Sequence, residues 1–227
     1  MKVFGPNPDQ NPRLAIAIQN AKRAAVPKTL VESAIARGQG QSASGAKLEA
    51  VTLEAILPQS IAIVIECETD SRLRTLAELR TLVKDHGGNA TPTVYLFEKQ
   101  GKVVLKQGES IATADEVLEQ ALDAGALDIL EGEDSTHIVF TEPAATVAVS
   151  QSLSSSLNME IASADIVWTP NEDTKVSFAN SEEGENFSQF LDKLQEMSEV
   201  LAIHANIARS GVLSDEEWTD LQRRVNM

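Results

Sequence analysis

The chain has 227 residues, of which 42% are apolar and only 4% aromatic, and its formal net charge is −15. This length allows one large domain or two to three small ones with aliphatic cores, and the apolar content argues against wholesale disorder. A single cysteine, Cys67, excludes an intrachain disulfide and with it a disulfide-stapled secreted domain. No apolar run approaches ~20 residues, so no stretch reads as a transmembrane helix. The N-terminus has neither a secretory apolar region nor an Arg- and Ser-rich transit character.

The charge is divided along the chain. Residues 1–47 carry Lys2, Arg13, Lys22, Arg23, Lys28, Arg37 and Lys47 against Asp9 and Glu32, a net of +5. The remaining 180 residues therefore sum to −20. A small basic segment joined to a large acidic body suits a protein that turns one face to a polyanion. Nonspecific nucleic acid would repel the body, so binding calls for a shaped site as well as charge.

The predicted elements begin with Asn11-Pro12, an N-cap with proline at the first helical position. Leu14, Ile18, Ala21 and Ala25 follow at helical spacing. Val26-Pro27 ends that helix and opens another, with Leu30, Val31, Ala34 and Ile35 apolar and Gly38 as its stop. Residues 39–46 read as a flexible linker. A loosely alternating strand from Leu48 to Leu57, a turn at Pro58-Gln59 and a buried strand Ile61–Ile65 come next. Asp70 is expected to cap a helix that ends at His86-Gly87-Gly88-Asn89. A hairpin is expected from Val94 to Leu105, turning at Gln100-Gly101.

A second module follows. Asp115 is expected to cap a helix stopped by Gly125. Leu127–Leu130 and Ile138–Phe140 are strands, Pro143 opens a helix, and Ile161–Trp168 is a strand. Lys175–Phe178 reads as a further strand, followed by a helix through Phe187, Phe190, Leu191 and Leu194 and a strand at Val200–Ile203. Ser214-Asp215-Glu216-Glu217 is a capping box before a helix with Trp218, Leu221 and Val225 on one side. That stripe could dock on a partner, though such stripes more often fold back on their own domain. Short alternating units of this kind predict an α+β fold.

Three blocks of the sequence resemble the YebC family. The first is Asn11-Pro12-Arg13-Leu14 with Ala21-Lys22-Arg23-Ala24-Ala25-Val26-Pro27-Lys28 and Glu32–Gly38. The second is Val64-Ile65-Glu66-Cys67-Glu68-Thr69-Asp70-Ser71-Arg72-Leu73-Arg74-Thr75. The third joins Lys84-Asp85-His86-Gly87-Gly88-Asn89, Leu96–Gly101 and Ala124–Asp128. They lie in order, from about residue 5 to 205. The resemblance implies a helical N-terminal domain, here residues 1–40 as a remnant lacking the first basic helices. It implies a discontinuous α/β domain over 47–108 and 171–208, with a ferredoxin-like domain inserted over 109–170, and leaves a C-terminal helix over 211–227. The fold class expected is thus α+β, with two ferredoxin-like-type modules, one inside the other.

The family is non-enzymatic. It includes bacterial members described as DNA-binding regulators and a mitochondrial translational activator of cytochrome c oxidase subunit I. Leu57-Pro58-Gln59-Ser60 replaces the family's Gly-rich turn, and Ser198-Glu199 replaces its acidic pair. Such departures suggest a fungal mitochondrial branch. The implied partner is the mitochondrial large ribosomal subunit, through ribosomal RNA or peptidyl-tRNA, or mRNA. The implied location is the mitochondrial matrix, with the leader absent from this chain. No cofactor, membrane span or small-molecule substrate is expected, and the chain is expected to be a monomer.

The candidate nucleic-acid-binding residues are Arg13, Lys22, Arg23, Lys28 and Arg37 on the basic helices, with Arg72, Arg74 and the loop His86, Gly87, Gly88 and Asn89. Lys and Arg read phosphate, and glycine permits close backbone approach. Each has a structural alternative: a solvated helix face for the cations, and a helix stop for the loop. His86, His137 and His204 are scattered without metal-ligand spacing. Cys67, beside Glu66 and Glu68 on a buried strand, reads as a core residue rather than a nucleophile. A sequence-specific DNA-binding regulator is the main alternative function, and an enzyme with an unrecognised cleft is a third.

Overall fold

The computed structural model describes residues 12–42, 45–106, 114–132, 136–157 and 159–226. The expected cap at Asn11 lies outside them. Helices α1 (Pro12–Arg23) and α2 (Lys28–Gly38) form an angled pair, with Ala25 at φ 55° in the corner between them. The left-handed stop after α2 falls at Gly40 (φ 77°), two residues beyond the predicted Gly38.

The first sheet is built from β1 (Glu49–Leu57), β2 (Ile61–Thr69), β3 (Asn89–Ala90) and, from much later in the chain, β8 (Val200–Ala205). Its order is β3-β1-β2-β8, all antiparallel. Strand β2 is apolar on both faces for a reason. Ile61, Ile63, Ile65 and Cys67 face a core shared with α3 (Arg72–Asp85) and α6 (Ser181–Glu196), whereas Ala62 and Val64 face Phe97, Val94 and Trp168 of the second module. The C-terminal helix α7 (Asp215–Arg224) closes over the first core, with Leu221 and Val225 buried and Trp218 packed against it. Its predicted capping box is present at Ser214 and Glu217. The stripe therefore folds back on its own module.

The second sheet combines β4 (Phe97–Lys106), β5 (Ala126–Glu131), β6 (Thr136–Thr141) and β7 (Glu160–Pro170) in the order β5-β6-β4-β7. Helices α4 (Ala114–Ala124) and α5 (Thr146–Leu157) supply Val117, Ala121, Val149 and Leu153 to its core. The element order βαββαβ with this antiparallel sheet is the ferredoxin-like arrangement. The α+β class expected from the sequence is therefore what the chain adopts.

Asp115 lies inside α4 rather than capping it, α5 opens at Thr146 rather than at Pro143, and three further local expectations fail. The hairpin at Gln100-Gly101 is absent: β4 runs on through it, paired with β7 along its length and with β6 from Gly101 to Lys106. Gly101 is instead a mid-strand close-approach residue. A Cβ there would lie 1.9 Å from Thr146 Oγ1 and 2.3 Å from Thr141 Oγ1, so its absence lets the start of α5 settle on the sheet. As a result the chain leaves the first sheet after Ala90, and the strand assigned by sequence to the host module belongs to the insert. Lys175–Phe178 forms no strand, only a bridge between Val176 and Ile207. Asp70 does not cap α3: Ser71 occupies that position, and Thr69 Oγ1 accepts from the Ser71 N–H (3.0 Å) and the Thr75 hydroxyl (2.8 Å).

Candidate nucleic-acid interface

The basic residues separate into two groups. Lys22 and Arg23 end α1 and Lys28 begins α2, so all three surround the Ala24–Pro27 corner and all are exposed. Cations in the last turn of α1 also complement the helix dipole. Lys28 reaches Glu32 at 3.4 Å across one helical turn, with 88% of its side chain still exposed. Such a surface pair contributes ~0.5 kcal/mol at most and leaves the ammonium open to phosphate. The backbone of Arg13 lies in α1; its side chain is outside the described set.

Arg37 lies at the other end of α2. Its guanidinium donates to the Ser198 carbonyl and, at 3.3 Å, to Ser198 Oγ. Arg74 on α3 reaches the same corner. It donates to Asp70 Oδ1 at 2.8 Å and lies 3.4 Å from Glu199 Oε1 and 4.0 Å from Glu78 Oε1. The hydrogen bond to Asp70 and the surrounding carboxylates push its pKa further up. Both guanidiniums are thus committed to internal partners, and Ser198-Glu199 is where they tie α2, α3 and β8 together. Arg72, two residues earlier as the first residue of α3, is exposed. Among the candidate cations whose side chains are described, those open to an external anion are Lys22, Arg23, Lys28 and Arg72.

The His86–Asn89 loop is determined by packing within the chain. His86 is the C-cap of α3, and Gly87 adopts φ 74°. The Gly88 N–H bonds to the Val83 carbonyl and the Gly87 N–H to that of Lys84, which together close the helix as a Schellman motif. A Cβ on Gly88 would sit 2.8 Å from both the Ile56 carbonyl and Leu57 Cδ2, so the close approach that glycine permits is to β1. His86 Nδ1 donates to the Leu82 carbonyl at 2.9 Å, and the ring packs edge-on against Phe190 with centroids 5.2 Å apart. Asn89 is exposed and pairs with Ile56 as the first residue of β3. A cleft of about 340 Å³ opens beside the loop, lined by Pro58, Gln59, Asp85, His86, Glu183 and Phe190.

A polar junction between the modules was not anticipated from the sequence. Glu66 projects from β2 and accepts from Trp168 Nε1 at 3.1 Å. The buried His204 accepts the Trp168 N–H at Nδ1 (3.2 Å) and turns Nε2 toward Glu66 Oε2 at 3.5 Å. Burial pushes the His204 pKa down, against the pull of Glu66. Glu54 accepts from the Thr93 and Val94 N–H groups at 2.7 and 2.9 Å, and so fixes the point where the chain enters the insert. Buried Asn206 links Ala62 N–H to the Thr174 carbonyl at the point of return. The available signal was Glu66 itself, a charge inside an otherwise apolar strand. Cys67 is buried, and desolvation, followed by Glu199 and Glu66, pushes its thiol up to about 11, which rules out a ready thiolate.

The architecture is that of an α+β protein in which a basic helical pair precedes a host module carrying a ferredoxin-like insert. Two family models match it: "TACO1/YebC protein N-terminal domain" over residues 1–41 and "TACO1/YebC second and third domain" over residues 48–207. The chain belongs to the TACO1/YebC family. A probable transcriptional regulatory protein of Aquifex aeolicus is 35% identical over 90% of this chain and 81% of its own length. One from Nitrosococcus oceani is 36% identical with the same coverage, and one from Bifidobacterium animalis is 34% identical over 94% and 84%. The crystal structure of a conserved hypothetical protein from Aquifex aeolicus aligns with a TM-score of 0.63 at 33% identity, covering 93% of this chain and 86% of that one.

Proposed function

We propose that this chain is a non-enzymatic translation factor that associates with RNA of the large ribosomal subunit, of the mitochondrial type within its family. It would act in the mitochondrial matrix and support synthesis of organelle-encoded proteins such as cytochrome c oxidase subunit I, including through proline-rich stretches. The observation that carries this reading is the placement of charge. Lys22, Arg23 and Lys28 stand exposed around one helical corner, while the body beyond residue 47 is strongly acidic. Phosphate contacts at the corner would position the chain, and the acidic body would discourage binding elsewhere on RNA. The mechanism would be to shape RNA or peptidyl-tRNA near the catalytic centre rather than to make bonds.

The test is sedimentation with large subunits over a salt series, comparing the chain with Lys22→Ala/Arg23→Ala/Lys28→Ala. Each lost phosphate contact should flatten the logarithmic salt dependence by about 0.7–0.9, so the triple variant should lose about 2 units of slope. Unchanged sedimentation of that variant would remove the helical corner from the reading.

A second reading, sequence-specific DNA binding, is favoured by the names of the bacterial relatives, which are called probable transcriptional regulatory proteins. Binding to a particular duplex that survives salt sufficient to strip nonspecific contacts would establish it in place of the first.

A further inference from the structure

Between Lys106 and Lys175 the sequence has no lysine or arginine, while fourteen aspartates and glutamates fall in that interval. The interval forms all of the ferredoxin-like insert except β4. Its surface carries an aliphatic patch. On α4, Val117 and Ala121 turn into the core, which leaves Leu118 and Leu122 outward, one turn apart and 45% and 54% exposed. The helix ends at Gly125 (φ 95°) and the chain enters β5 at once, where Leu127 is 47% exposed, while Leu130 pairs with Ile138 and turns to the helix-free face of the sheet. Strand β5 is one of the two edge strands of its sheet. Asp115, Glu119 and Asp123 are exposed on α4 beside Leu118 and Leu122.

We propose that the outer face of α4 in the insert is a docking surface for a cationic amphipathic segment of another protein. Its aliphatic side chains would cover Leu118 and Leu122, and its Lys or Arg side chains would meet the flanking carboxylates. Charge selects this occupant. A phosphate backbone or an anionic lipid surface would be repelled by the three α4 carboxylates, which have no lysine or arginine on their helix. A second copy of the chain would bring the same acidic face against itself, and like charges in juxtaposition oppose such pairing. A basic segment without aliphatic groups would leave the leucines in water, and an apolar one without cations would bury carboxylates unpaired. The inference stands apart from the ribosomal reading, since it concerns the opposite charge, another module and a protein partner.

The test uses the whole chain, ¹⁵N-labelled, titrated with a 14-residue helical peptide of leucine and lysine at amphipathic spacing. A peptide with serine in place of leucine serves as the control. The expected result is that amide shifts concentrate on α4 and that the serine peptide binds at least tenfold more weakly. Leu118→Ala/Leu122→Ala should weaken the leucine peptide by a similar factor. Alanine keeps the helix propensity, so this variant should retain the native amide spectrum. Glu119→Gln/Asp123→Gln should flatten the salt dependence. Equal binding of the two peptides, shifts centred on the first sheet, or unchanged affinity of the leucine variant would each overturn the proposal. So would self-association of the free chain that Leu118→Ala/Leu122→Ala abolishes.

Discussion

The two sheets have the same number of strands and the same antiparallel pairing, yet they are held in different ways. The first lies between helices on one side and the second module on the other, so its central strand β2 is apolar on both faces. The second carries helices on one face only, and its other face presents Lys102, Val104, Ile138 and Phe140 half-buried. Among the described residues the first core gathers twenty buried side chains, including Phe178, Phe187 and Phe190, against eight and no aromatic in the second. Strand number therefore says little about robustness. What covers the two faces decides it.

The strongest way to break this contrast is to hollow each core in turn. Phe190→Ala should cost about 3–5 kcal/mol and Leu153→Ala about 2–5 kcal/mol, both measured by urea unfolding. Hydrogen exchange sharpens the comparison: β5 and β6 amides should exchange faster than those of β1 and β2 in the wild-type chain. Slower exchange in the insert would reverse the ranking. Overpacking is a second route. Gly101→Ala forces its methyl into Thr146 and Thr141 and should cost about 1–3 kcal/mol, with the loss confined to the second module's near-neighbour amides.

A pH test addresses the junction between the two. His204 is held below its ordinary value of 6.5 by desolvation, with Glu66, the Trp168 N–H and Lys99 the groups that also act on it. The unfolded chain therefore takes up a proton at this residue before the folded chain does. Stability should fall as pH drops below about 6.5 and level off once pH passes the folded value. The urea midpoint at pH 7.5 should exceed that at pH 5.5, and His204→Gln should shrink the gap. An unaltered gap in the variant would assign the pH dependence to other groups. The smallest effect expected is in the β1–β2 turn, where Gln59 and Ser60 hold φ 60° and 61°. Gln59→Gly relieves a left-handed conformation and should change stability by no more than about 1 kcal/mol, toward higher midpoints.

Much of this organisation is legible in the sequence because local signals and tertiary needs agree. The Ser214–Glu217 capping box, the Gly87 and Gly125 helix stops and the twofold-covered run Ile61–Ile65 all appear where their patterns place them. The failures share a cause. Gln100-Gly101 carries turn chemistry, but Gly101 is demanded by Thr141 and Thr146, forty or more positions away. Lys175–Phe178 has strand composition, but its pairing stops at one isolated bridge, Val176 to Ile207. The candidate site divides in the same way. Exposure of Lys22, Arg23 and Lys28 follows from helical periodicity, whereas the engagement of Arg37 with Ser198 spans 161 positions and leaves no local trace.

The pairing of β2 with β8 has a consequence for how the protein is made. Ala62 and the Asn206 side chain that receives its N–H are 144 positions apart, with the whole insert between them. As the chain is synthesised, β1, β2 and α3 emerge first, and Phe187, Phe190 and β8, which complete their core, emerge after the ferredoxin-like module. That module has a closed set of strands and helices and can settle early, while the host waits with an apolar strand uncovered. During the interval the nascent chain depends on whatever shields β2, and the half-built host module is the stage most exposed to misassembly.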